Sequence, residues 1–154
     1  ALPISAIDIE FYDTIINKAE VSKLYNQTYE ILQHAKAALV TSGTATLETA
    51  LLNIPQIVCY KFRGGGIIYN IGKLFLKVPY ISLVNLIMNR EIVKELIQQY
   101  LTEKSVKKEL DKILFDTDYR NRMLNDYADL RSKIGKPGAS KRFATLMYNE
   151  LIKQ

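Results

Sequence analysis

The sequence predicts an α/β domain built on a parallel sheet and followed by a helical C-terminal region. Three observations carry this. Two short apolar runs, "AALV" at residues 37–40 and "QIVCYK" at 56–61, are bounded by turn chemistry. Such runs suit strands covered on both faces of a sheet. The stretch between them has helical spacing, so strand, helix and strand follow one another with short connections, as in a parallel unit. Beyond residue 91 the apolar residues recur at helical intervals.

In chain order, residues 2–7 read as a short strand, 13–18 as a short helix and 19–25 as a strand. Residues 28–34 read as a helix with Ile31, Leu32 and Ala35 on its apolar face. After the strand at 37–40, a helix over 44–52 turns Leu47, Ala50 and Leu51 to one side, and Asn53 and Pro55 stop it. "RGGG" at 63–66 is a loop, and Ile67, Ile68, Ile71, Leu74, Phe75 and Val78 form one helical stripe. "VPYISLVNLI" reads as extended around Pro79, with room for a short strand. From Glu91 onward the chain reads as helical. Ile92, Val93, Leu96, Ile97 and Tyr100 make a first stripe, and Val106, Leu110, Ile113 and Leu114 a second. Tyr119, Met123, Tyr127, Leu130 and Ile134 make a third. Gly135, Pro137 and Gly138 break the pattern before a last helix carrying Phe143, Leu146, Met147 and Leu151. There is no internal repeat. The reading is one domain over 1–154, with its helical tail over about 103–154.

Composition excludes several classes. A chain of 154 residues, 48% hydrophobic, can bury a sizeable core. No apolar run approaches the ~20 residues of a membrane span. One Cys and one His exclude a disulfide framework and a Cys/His zinc site, and point to a reducing compartment. A net charge of +5 fits an anionic partner, a nucleotide phosphate or an acidic membrane surface. The basic residues are dispersed and no aromatic stacking motif stands out, so a nucleic-acid role is not expected. Cys59 reads as a packed strand residue and His34 as a capping or surface residue.

The informative stretch is "TSGTATLETA" at 41–50. In open α/β sheets, ligands sit at the C-terminal ends of strands, where helices begin. Small side chains there let a ligand approach the backbone. Thr41 or Ser42 can hydrogen-bond phosphate oxygens. The amides of Gly43 to Ala45 are helix N-terminal donors, and the helix dipole favours an anion. Glu48 shares a face with Thr44. A carboxylate beside a phosphate repels it, so Glu48 makes better sense reaching past the phosphates to two ribose hydroxyls. The pattern fits a nucleoside diphosphate. An equally open reading is that Ser42 or Thr44 merely caps the helix and Glu48 is a first-turn acid complementing the dipole. No G-x-G-x-x-G, GxxxxGK[ST] or G-x-S-x-G motif is present.

Three segments, "TSGTATLETALLNIPQIVCYK", "KVPYISLVNLIMNREIVKELIQ" and "LRSKIGKPGASKRFA", together resemble the C-terminal half of the lipid-A-disaccharide synthase family, in the family's order. The middle segment is the most diagnostic. The resemblance implies the C-terminal domain of a GT-B glycosyltransferase: a Rossmann-like parallel sheet with flanking helices that holds the UDP-sugar donor. It implies a hexosyltransferase that joins UDP-2,3-diacylglucosamine to 2,3-diacylglucosamine 1-phosphate and releases UDP, without metal or cofactor. Carried over by position, Ser42, Gly43 and Thr44 hold the diphosphate and Glu48 binds the ribose. Asn85, Arg90, Glu91 and Glu95 fall in the signature and are expected to line the donor cleft, with Arg90 or Lys61 stabilising the departing diphosphate.

Other readings stand beside these. Glu91 reads as the start of a helix, a dipole partner, and Glu95 as a solvated acid on the same face that pairs with Lys94 or a neighbouring helix. Asn85 serves equally well to tie down loop backbone. The stripe at 67–78 is a core helix or, flanked by Lys61, Arg63, Lys73 and Lys77, an interfacial helix on an anionic membrane. "GGG" departs from the family pattern, and "KPGASKR" reads as a solvated basic turn or a phosphate patch. The resemblance also implies a preceding acceptor domain, home to most acid–base groups, so that the catalytic residues lie outside this chain. On this reading the chain alone is inactive, and the whole enzyme is cytoplasmic and peripheral at the inner membrane. The last helix would then meet the missing N-terminal domain, and a homodimer remains open. The alternative is a non-catalytic nucleotide-sugar or membrane-surface module of the same fold. A UDP-sugar epimerase is disfavoured by the second and third segments.

Overall fold

The computed structural model describes residues 21–22, 24, 26–41, 43–61, 79–135 and 138–152. The elements expected over 2–7, 13–18, 63–66 and 67–78, together with Ser42, lie outside the described residues. The elements are α1 (Thr28–His34), β1 (Ala38–Val40), α2 (Thr44–Leu51), β2 (Gln56–Tyr60) and α3 (Leu83–Met88). β3 (Lys94–Ile97) follows, then a 3₁₀ turn (Gln98–Tyr100), α4 (Glu103–Phe115), α5 (Thr117–Ile134) and α6 (Ala139–Leu151). The three strands form one parallel sheet in the order β1–β2–β3. Ala38 lies opposite Gln56, Val40 opposite Val58, and Val58 opposite Glu95, so Glu95 is level with the end of β1.

β2 is covered on both faces, with Ile57 and Val58 fully buried. β1 is not. Leu39 is 56% exposed, because β1 is an edge strand among the described residues. In α2 the buried positions are Thr46, Thr49 and Ala50, whereas Leu51 is exposed. The hydroxyls explain this. Thr46 Oγ1 donates to the Gly43 carbonyl at 2.8 Å and Thr49 Oγ1 to Ala45 at 2.7 Å, so both polar groups are satisfied within the helix and the methyl groups can face the sheet.

Three expectations give way to the structure. Val21, Ser22 and Leu24 carry no strand. The stretch read as extended holds α3, because Ser82 caps it by accepting from the Asn85 amide and Asn89 ends it in the left-handed conformation (φ 53°). Residues 94–97 are a strand rather than the start of a helix. The amides of Ile92 and Val93 donate to Asn85 Oδ1 at 2.8 and 3.0 Å, which withdraws them from any helical ladder. Glu91 therefore starts no helix and shares no helical face with Glu95.

The tail is helical as read. α4 opens on a capping box between Thr102 and Ser105, and α5 on Asp116, which accepts from the Tyr119 amide. Ile113 of α4 and Met123, Tyr127 and Leu130 of α5 join Ile57, Val58, Val84, Val93 and Leu96 in the core. Gly135 closes α5 at φ 84°, a conformation that favours glycine. α6 keeps Phe143 and Leu146 at 63% and 68% exposure.

Candidate functional site

In a parallel sheet every strand delivers its following loop to the same edge. Thr41, Gly43 and Thr44 after β1, Lys61 after β2 and Gln98 after β3 thus share the C-terminal edge. Thr41, Gly43, Thr44, Ala45 and Lys61 are exposed, and Glu48, one turn into α2, is half-buried. Gly43 is the N-cap of α2 at φ 110°, ψ −160°, a backbone state that side-chain-bearing residues rarely adopt. No side chain caps the helix among the described residues, so Thr44 does not fill that role. No acid lies in the first turn, so Glu48 is not a first-turn dipole partner. The result is an open helix N-terminus with small residues around it, free of negative charge for its first turn.

Asn85 and Glu95 form a different kind of structure. Glu95 accepts from Ile81 N (3.0 Å), Ser82 N (2.9 Å), Ser82 Oγ (2.7 Å) and Asn85 Nδ2 (2.9 Å). Asn85 is fully buried and also donates to the Val93 carbonyl at 2.9 Å. Lys94 pairs with Glu91, not Glu95. The network anchors residues 81–82 at the level where β1 ends. Asn85 thus ties down loop backbone, the second of its two expected roles.

Arg90 and Glu91 sit on the segment that enters β3, at the N-terminal edge, and the structure does not bring them beside Thr41 to Glu48. Arg90 donates to Asp126 at 2.6 Å and approaches Asp129 at 3.8 Å. The Asp126 hydrogen bond holds its guanidinium above its usual pKa. A cavity of about 260 Å³ opens at this edge, between residues 91–94 and the first half of α5.

Two features were missed in the sequence. One is the Ser82–Glu95 pairing, for which the S-x-x-N spacing of Ser82 and Asn85 was an available signal. The other is Gln98, held at φ 51° with its side chain buried at the C-terminal edge, for which sequence carries no signal. Cys59 is half-buried in β2, and burial pushes its thiol up, which suits a packing residue. His34 is exposed in the last turn of α1.

The parallel sheet, its crossovers and its flanking helices define an open α/β domain of the Rossmann-like class. Within that class the chain belongs to the lipid-A-disaccharide synthetase family, whose model matches residues 6–147. The lipid-A-disaccharide synthase of Syntrophus aciditrophicus (strain SB) is 41% identical over 127 residues, covering 82% of this chain and 32% of that protein. The one from Sulfurihydrogenibium sp. (strain YO3AOP1) is 35% identical over 158 residues, covering 99% of this chain and 38% of that protein. The one from Solibacter usitatus (strain Ellin6076) is 31% identical over 153 residues, with 98% and 39% covered. The chain spans about a third of the length of the curated relatives it matches.

Proposed function

We infer that this chain is the donor-binding part of a lipid-A-disaccharide synthase. The reaction is transfer of a diacylglucosamine unit from UDP-2,3-diacylglucosamine to 2,3-diacylglucosamine 1-phosphate, with release of UDP. The observation that carries the reading is the exposed N-terminus of α2, without a side-chain cap among the described residues, at the C-terminal edge of the sheet in a member of this family. The diphosphate lies on Ser42, Gly43, Thr44 and the first amides of α2. Glu48 reaches the ribose from one turn further on. In the reaction the acceptor hydroxyl oxygen bonds to the anomeric carbon, the carbon–phosphate oxygen bond breaks, and UDP leaves with the electron pair. The hydroxyl proton passes to a base in the rest of the enzyme. Negative charge grows on the departing diphosphate, where the amides, the helix dipole and exposed Lys61 stabilise it.

In this reading Asn85 and Glu95 act by anchoring residues 81–82 at the donor edge, and Arg90 and Glu91 hold the entry to β3. The acceptor site and the acid–base groups belong to the part of the protein that the relatives have beyond this match. The exposed apolar residues of α6 offer that part a surface. No helix among the described residues is long and apolar enough to cross a membrane. Acylated substrates then place the whole enzyme at the cytoplasmic face of the inner membrane as a peripheral protein.

The test is a transfer assay with both acylated substrates. The full-length polypeptide should form disaccharide and UDP, Glu48→Ala should lower kcat/KM, and the 154-residue chain should form no product. Transfer by the chain alone would overturn the division of labour. Full activity in Glu48→Ala would overturn the donor site.

A further inference from the structure

We propose that the cavity at the N-terminal edge of the sheet is a binding site for a small organic monoanion with an apolar body. This site is separate from the donor edge and does not depend on how that edge is read. Its volume, about 260 Å³, lies just below the ~300–1,000 Å³ common for small-molecule pockets and suits a ligand of a few heavy atoms. Ile92, Val93 and Met123 give it an apolar floor, and the ring of Tyr119 forms a wall.

The charges at the cavity choose the ligand. Glu91 is matched by Lys94 at 2.9 Å and Asp126 by Arg90 at 2.6 Å. Arg122 also lines the cavity, and among the described residues no carboxylate pairs with it. Its guanidinium lies 5.9 Å from the Tyr119 ring centroid instead. Arg122 is thus a cation without a carboxylate partner among the described residues, beside an apolar floor. A carboxylate can lie against Arg122 while its hydrocarbon part covers Met123 and Ile92. A phosphate dianion would meet two carboxylates for one unmatched cation and leave the floor uncovered, and an amine would meet Arg122 itself.

The site is built before any ligand arrives. Asn85 holds the Ile92 and Val93 backbone through three hydrogen bonds of 2.8 to 3.0 Å. Tyr119 is fixed by donating to the buried carboxylate of Glu109. Little has to be ordered on binding, which keeps its cost low.

Hexanoate is the probe, with hexylamine and inorganic phosphate as comparisons, in an amide-resolved NMR titration of the purified chain. Hexanoate should produce saturable shifts at residues 92–94 and 119–126, and the two comparisons should not. Arg122→Gln, a change at an exposed position, should keep the spectrum of the fold and weaken hexanoate by about fivefold or more. Raised ionic strength should weaken it in the parent chain and have less effect in the variant. The proposal fails if hexanoate does not saturate within its solubility or if hexylamine shifts the same amides. It also fails if Arg122→Gln binds hexanoate as tightly as the parent.

Discussion

The Glu95 carboxylate of β3 accepts two hydrogen bonds from Ser82, one from its amide at 2.9 Å and one from its hydroxyl at 2.7 Å. The amide of Ile81 and the side chain of Asn85 complete the shell. Four donors converge on one side chain. In Glu95→Gln an NH₂ group would replace one acceptor and face donors. Hydrogen bonds to a charged group contribute about 1.5–3 kcal/mol, so the variant should lose about 2–3 kcal/mol in urea unfolding at unchanged m-value. Glu91→Gln removes only an exposed pair with Lys94 and should cost less than about 1 kcal/mol. Equal effects would show that the Ser82 anchor is not special.

Gly43→Ala tests the donor turn. The added Cβ meets nothing within 4 Å, so any cost comes from the backbone at φ 110°. A side chain in such a region costs about 1–3 kcal/mol, read as a shift in the unfolding midpoint. Relief of the strain by local rearrangement would move the α2 amides, so UDP affinity should fall even where the fold persists.

Tyr127 sets an alkaline limit on stability. It is fully buried, and burial pushes its phenol far above its ordinary value of about 10. A raised folded pKa means that this contribution is intact below pH 10 and declines above it, because the unfolded chain releases a proton that the folded chain retains. Stability should fall above that pH by up to about 1.4 kcal/mol per unit from this one group. Tyr127→Phe, with a lower starting stability because Gln56 loses its 3.4 Å partner, should show a slope shallower by about one proton.

α6 should be nearly silent in the isolated chain. Phe143→Ser and Leu146→Ser change exposed positions and should shift its stability by no more than about 0.5 kcal/mol. Leu130→Ala, in the core, should cost about 2–5 kcal/mol. In the full-length enzyme the two α6 substitutions should lower activity, if α6 meets the remaining part of the protein.

The strand–helix–strand unit and the four helices α1, α4, α5 and α6 were legible because each rests on a local signal. Asn53 and Gly135 end α2 and α5 as their types demand, and the periodic stripe of α5 buries Met123, Tyr127 and Leu130. β3 was not legible. The spacing of Ile92, Val93, Leu96 and Ile97 fits a helix, and only pairing with β2 decides for a strand. The inward face of α2 was legible in part: Ala50 is buried and Leu47 packs against the core, but Leu51 is exposed, and Thr46 and Thr49 turn inward because their hydroxyls are satisfied in their own helix, which composition does not reveal. The signature residues Asn85, Arg90, Glu91 and Glu95 are close in sequence. Asn85 and Glu95 join a hydrogen-bonded anchor that also holds Ile92 and Val93, whereas Arg90 and Glu91 make exposed ion pairs, a difference in contacts that spacing does not reveal.

The most direct measurement is a calorimetric titration of the full-length polypeptide with UDP, with ADP and the Glu48→Ala variant alongside. The donor-site reading predicts saturable UDP binding that exceeds ADP binding and drops in the variant. Absence of binding at millimolar UDP, or unchanged affinity in Glu48→Ala, would contradict it.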